Sequence, residues 1–109
     1  MVKQQQLDRL FAALSDPTRR AMIDRLAKGE ASIGVLGHPH AMTTAGVMKH
    51  VRVLADAGLV DHRKVGRERI CRLNANPLND AASWIAAYER FWNRSLDNLE
   101  KVLEEMDDE

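Results

Sequence analysis

The chain has 109 residues, one cysteine, and 16 basic against 16 acidic side chains, so its formal net charge is zero. That length suits one domain with a single modest core, and the lone Cys71 excludes an internal disulfide and a cysteine-rich metal cage. No apolar run reads as a secretory leader or a membrane span, which leads to the expectation of a cytoplasmic protein with no membrane partner.

Leu7, Leu10, Phe11 and Leu14 recur at helical spacing and predict a short amphipathic helix over 7–14. Asp16-Pro17 predicts the next helix start, since Asp can cap and Pro at the first helical position loses no hydrogen bond. That helix extends to about Lys28, with Ala21, Met22, Ile23 and Leu26 inward and Gly29 as its stop. Ser32 caps a third helix, Ile33 to Gly37, whose two glycines make it weak in isolation, so packing must hold it. His38-Pro39-His40 breaks it. Thr43 or Thr44 then caps a fourth helix that ends near Ala57, with Gly58 beyond. Leu59–Val65 and Glu68–Leu73 flank Gly66 as a hairpin. Asn76-Pro77 opens a last helix over about 77–105, with an apolar stripe through Ala81, Ile85, Tyr88, Trp92, Leu96, Leu99, Leu103 and Met106.

The order is α-α-α-α-β-β-α: a mainly α fold with a β-hairpin wing, in one domain over 1–109. A short helix, a turn and a second helix over 32–58, followed by a hairpin over 59–73, is the winged helix-turn-helix pattern.

Charge is unevenly distributed. Between Thr43 and Leu73 there are seven bases and three acids, whereas Asp97 to Glu109 holds seven acids and one base. On a helical wheel of the fourth helix, Val47, Val51 and Leu54 share one face. Thr43 and Thr44 stand at the start, and Thr44, Ala45, Met48, Lys49 and Arg52 form the opposite face. Small residues admit close approach to a major groove, and bases reach phosphates or guanine edges. In the hairpin, Arg67 at the tip and Arg69 beside it are the candidate wing contacts, with Arg63, Lys64 and Arg72 ranked behind them.

The runs Phe11-Ala12-Ala13-Leu14-Ser15-Asp16-Pro17-Thr18-Arg19-Arg20, Val47-Met48-Lys49-His50-Val51-Arg52-Val53-Leu54 and Ala57-Gly58-Leu59-Val60 resemble the ArsR-type (arsenic-repressor-like) family of winged-helix repressors. Cys71-Arg72-Leu73 and Trp84 to Trp92 resemble its subgroup without the usual metal-site motifs. The resemblance implies a homodimer built from the first and last helices, 7–14 and 77–105, through Leu7, Leu10, Phe11, Ile85, Tyr88, Trp92, Leu96 and Leu99. It also implies a repressor that occludes a double-stranded operator and is released by an effector. Where family members often carry Ser, this chain has Met48, which cannot donate to a phosphate.

Thiolates in the third helix and Asp/His sets in the last helix, the metal ligands that the resemblance would supply, are both missing, so no metal and no cofactor are expected. His38, His40 and His62 would hold zinc only if they converged. Cys71 shares parity with Leu73 and is expected to face inward, though nearby Arg69 and Arg72 could activate it. Trp84, Tyr88, Phe91 and Trp92 suit interface core better than a small-molecule pocket. No nucleophile triad, phosphate loop or carboxylate pair points to an enzyme. The rival readings are a protein-interaction module on the same fold and a single-cysteine redox sensor.

Overall fold

The structure is a computed structural model that describes residues 4–107. Helix α1 (Gln4–Leu14) buries Leu7, Leu10 and Ala13. The sequence places Leu7 and Leu10 among the candidate interface residues. They are only 6% and 1% exposed within a single chain, because this face of α1 already packs on neighbouring helices. Phe11 remains 41% exposed.

Helix α2 (Pro17–Leu26) begins where the sequence places it: Asp16 Oδ2 accepts from the Arg19 backbone N–H at 3.0 Å, with Pro17 following the cap. It ends earlier than Lys28, with Ala27 at its C-cap, and buries Met22, Ile23 and Leu26. A two-residue strand β1 (Ala31–Ser32) follows, absent from the predicted order.

Ser32 caps helix α3 (Ile33–Gly37) through its hydroxyl, which accepts from Val35 N–H at 3.2 Å. Packing explains how so short a helix persists. Ile33, Leu36 and Gly37 are buried, and a Cβ on Gly37 would collide with the Val47 side chain. Glycine therefore sets how closely α3 approaches helix α4 (Thr44–Asp56). Between them His38–His40 form a 3-10 turn, and Ala41 takes a left-handed φ of 49°.

Strands β2 (Val60–Val65) and β3 (Glu68–Leu73) form the hairpin. Its two-residue turn places Gly66 at φ +62°, a conformation glycine adopts without steric cost. The sheet has three antiparallel strands in the order β1-β3-β2, with Ala31 opposite Cys71 and Ser32 opposite Ile70. Leu10, Met22, Val47, Val51, Leu54, Leu59 and Cys71 form the most deeply buried part of the core.

Helix α5 (Asn76–Asp107) has 32 residues and is about 48 Å long. It buries only Ala81 in the single chain. Ten large apolar side chains from Trp84 to Met106 stand exposed along it. The helix projects past the rest of the fold, which raises the radius of gyration to 20.1 Å, against about 13 Å for a compact chain near this length.

Candidate nucleic-acid interface

Helix α4 presents two unlike faces. Val47, Val51 and Leu54 are buried, while Thr44, Ala45, Lys49 and Arg52 are exposed. Thr43 Oγ1 accepts from Gly46 N–H at 3.1 Å as the N-cap, leaving its O–H free to donate outward. Met48 is half-buried and packs on the core, so it sits between the two faces. A cleft of about 360 Å3 separates the start of α4 from the wing; Thr44 and Met48 line one side, and Arg67, Glu68 and Arg69 the other. The folded chain thus brings the two groups of candidate DNA contacts to one surface.

The wing's cations differ in how far they are already engaged. Arg63 holds Glu30 through two hydrogen bonds of 3.1 and 3.2 Å. This pairing, first through the hydrogen bonds and then through charge, holds the Glu30 carboxyl below its ordinary range and raises Arg63. Arg72 pairs across the strands with Asp61 at 3.8 Å. Arg69 Nη1 donates to His62 Nδ1 at 2.8 Å, and Lys64 lies opposite Arg69 in register. Among the described residues, Arg67, Lys64, Lys49 and Arg52 make no side-chain hydrogen bond or ion pair. Of the cations on α4 and the wing, these four are therefore the ones left free to meet a phosphate backbone.

A second cluster, not singled out from the sequence, fixes the pose of α4. Arg19 on α2 donates through Nε to the Ala13 carbonyl at 2.7 Å and through Nη2 to that of Ala12 at 3.0 Å. Its Nη1 reaches His50 Nδ1 on α4 at 3.3 Å. Asp16 lies 3.9 Å from the same ring nitrogen. The Arg19 backbone N–H, with smaller help from His50 and the Arg19 charge, holds the Asp16 carboxyl below its usual range. The run of Asp16, Pro17 and Arg19 was visible as a motif, but nothing in it names carbonyls of another helix as the arginine's partners.

Cys71 is fully buried and faces His62 across the hairpin. Burial raises its thiol pKa, against a smaller opposing pull from Arg69, so activation by the neighbouring arginines is corrected to suppression by desolvation. His38 and His40 lie in the turn after α3, and His62 lies in the wing. Among the described residues no three ligand-type side chains gather to hold a metal. Trp84 stacks on Tyr88 with centroids 5.6 Å apart, meets Phe11 edge-on at 6.2 Å, and continues through Tyr88 to Trp92 at 6.0 Å as a ladder along α5. No described helix is long and apolar enough to cross a membrane.

Two helices joined by a tight turn and flanked by a basic hairpin define a winged helix-turn-helix protein of the DNA-binding kind. Comparison with known proteins gives the family. A helix-turn-helix domain family matches residues 14–63. The HTH-type transcriptional regulator Rv2034 of Mycobacterium tuberculosis is 33% identical over 102 residues, covering 94% of this chain and 92% of the relative. The crystal structure of an ArsR family transcriptional regulator superposes with a TM-score of 0.80 at 36% identity, over 84% of this chain and 95% of that one. The fold also matches, at a TM-score of 0.63 and 24% identity over 80% and 82% of the two chains, a homodimeric winged helix-turn-helix DNA-binding domain from Mycobacterium bovis. The chain belongs to the ArsR-type family of winged helix-turn-helix transcriptional regulators.

Proposed function

We propose that this chain is a homodimeric repressor that occludes an operator and is released by an effector. In this reading residues 32–58 are the reading helix-turn-helix and 59–73 the wing. Residues 7–14 and 77–105 are the dimerisation segments, within one domain over 1–109. Thr43, Thr44, Ala45, Lys49 and Arg52 approach the major groove, Met48 backs them, and Arg67 and Arg69 follow the adjacent backbone.

The observation that carries this reading is the split of α4 into a buried apolar face and an exposed small-and-basic one, beside an unengaged Arg67. The dimer half rests on α5, whose exposed Ile85, Tyr88, Trp92, Leu96 and Leu99 form an apolar face far longer than a monomer's surface favours. Phe11 joins that face through Trp84. The homodimeric relative from Mycobacterium bovis supports the same assembly. Selection of bound duplexes from a random pool, followed by footprinting, tests the proposal. An enriched inverted repeat with half-sites about 34–36 Å apart is the expected result.

A further inference from the structure

A groove of about 590 Å3 lies on the flank of α2, walled on its far side by α3 and the turn after it. Its volume falls in the range of small-molecule sites, roughly 300–1,000 Å3. Met22, Val35, Leu36 and Pro39 give it an apolar floor, and Val35 is 47% exposed there although the core has room for Ile33 and Leu36 beside it. Ala21, Asp24 and Arg25 share one face of α2 at the rim, and Lys28 follows just past the helix end. His38 and His40 stand on the opposite side. Two cations and one carboxylate on the α2 side thus stand opposite two imidazoles over an apolar floor.

We propose that this groove binds a small organic acid, a carboxylate or sulfonate on an aliphatic or aromatic body. The body lies on Val35, Leu36 and Pro39, and the anion meets Lys28 and Arg25, whose Nη1 otherwise only reaches the Gly29 carbonyl at 3.1 Å. Charge sets the sign: a cationic ligand with the same body would meet Arg25 and Lys28 with only Asp24 to offset them. The wall on the turn side leads within three residues, through Ala41 at φ 49°, to Thr43, the cap of α4. An occupant is therefore placed to move the reading helix. Only this regulatory consequence rests on the repressor reading.

The test is amide NMR on the full chain with 1-naphthoate and its charge-reversed analogue, 1-naphthylmethylammonium. Naphthoate should shift, saturably, amides within 21–28 and 33–40, and the ammonium compound should not. Lys28→Glu, an exposed change, should weaken naphthoate by about tenfold or more and leave ligand-free duplex affinity nearly unchanged. Val35→Asp, also exposed, should weaken naphthoate likewise. Shifts confined to α5, an equal response to the ammonium compound, or insensitivity to both substitutions would overturn the site. So would Lys28→Glu weakening duplex binding in a chain that ignores naphthoate, which would make these cations phosphate contacts. A chain that binds naphthoate as described but no duplex upholds the groove and removes the repressor reading.

Discussion

Arg19 Nη1 lies 3.3 Å from His50 Nδ1, while the other nitrogens of the same guanidinium hold the Ala12 and Ala13 carbonyls. One side chain on α2 thus satisfies the C-terminal end of α1 and touches the helix proposed to read DNA. Unpaired carbonyls at a helix end need partners, and the planar fork of arginine supplies several at once. Arg19→Ala should cost about 1.5–3 kcal/mol of stability, the scale of hydrogen bonds from a charged group. Arg19→Lys should recover less than half of it, because an ammonium cannot span three acceptors. Chemical denaturation of the three proteins checks this; full rescue by lysine would show that charge alone mattered.

Asp16 gives a pH signature at the same junction. Its pKa is lowered in the folded chain, chiefly by the Arg19 backbone N–H. The sign follows from linkage: the contribution is complete above the ordinary carboxylate pKa and is lost as pH falls through the lower folded value. Asp16→Asn keeps a capping oxygen but has no charge to titrate. The stability difference between wild type and Asp16→Asn should therefore be constant near neutrality and shrink in acid. A difference that does not vary with pH would contradict the assignment.

Much of this architecture was legible because local chemistry marks it. Asp16-Pro17, Ser32 and Thr43 each announce a helix start, and each caps one. Gly66 between two β-compatible runs marks the wing. Strand β1 was not legible: two residues carry no period, and Ala31–Ser32 become a strand only by pairing with residues some forty positions away. An apolar stripe such as that of Leu7 and Leu10 looks the same whether a chain's own core or a partner covers it, and here the chain's own helices bury both. Arg19, in a motif rich in charge, reads as a surface cation until α1 and α4 are placed around it. The engagement of Arg63 by Glu30 is equally a product of the sheet, since β1 brings Glu30 beside the hairpin.

The wing cations should differ in their effects on DNA. Arg67 is unengaged at the tip, so Arg67→Ala should weaken specific and non-specific duplexes alike and lower the salt slope by about one unit. Arg63 is committed to Glu30, so Arg63→Ala should change duplex affinity less than Arg67→Ala does. Fluorescence anisotropy at several salt concentrations separates the two. A greater loss from Arg63→Ala would mean that the Glu30 pair opens on DNA.

The exposed face of α5 should be covered by a second copy. Leu96→Glu with Leu99→Glu lies far from the core, where both positions are more than half exposed in the single chain. The double variant should keep its fold by circular dichroism but sediment as a monomer, because charge buried without a partner is costly. A dimer of unchanged affinity would remove this stretch of α5 from the interface.

Whether the exposed face of α4 reads DNA in a dimer is decided by anisotropy of wild type and Arg52→Ala on the duplex enriched from a random pool, with stoichiometry measured in the same titration. Two chains should bind per duplex, and Arg52→Ala should lose about 1–3 kcal/mol of binding free energy while folding normally. Equal affinity of the two proteins, or saturation at one chain per duplex, would contradict this reading.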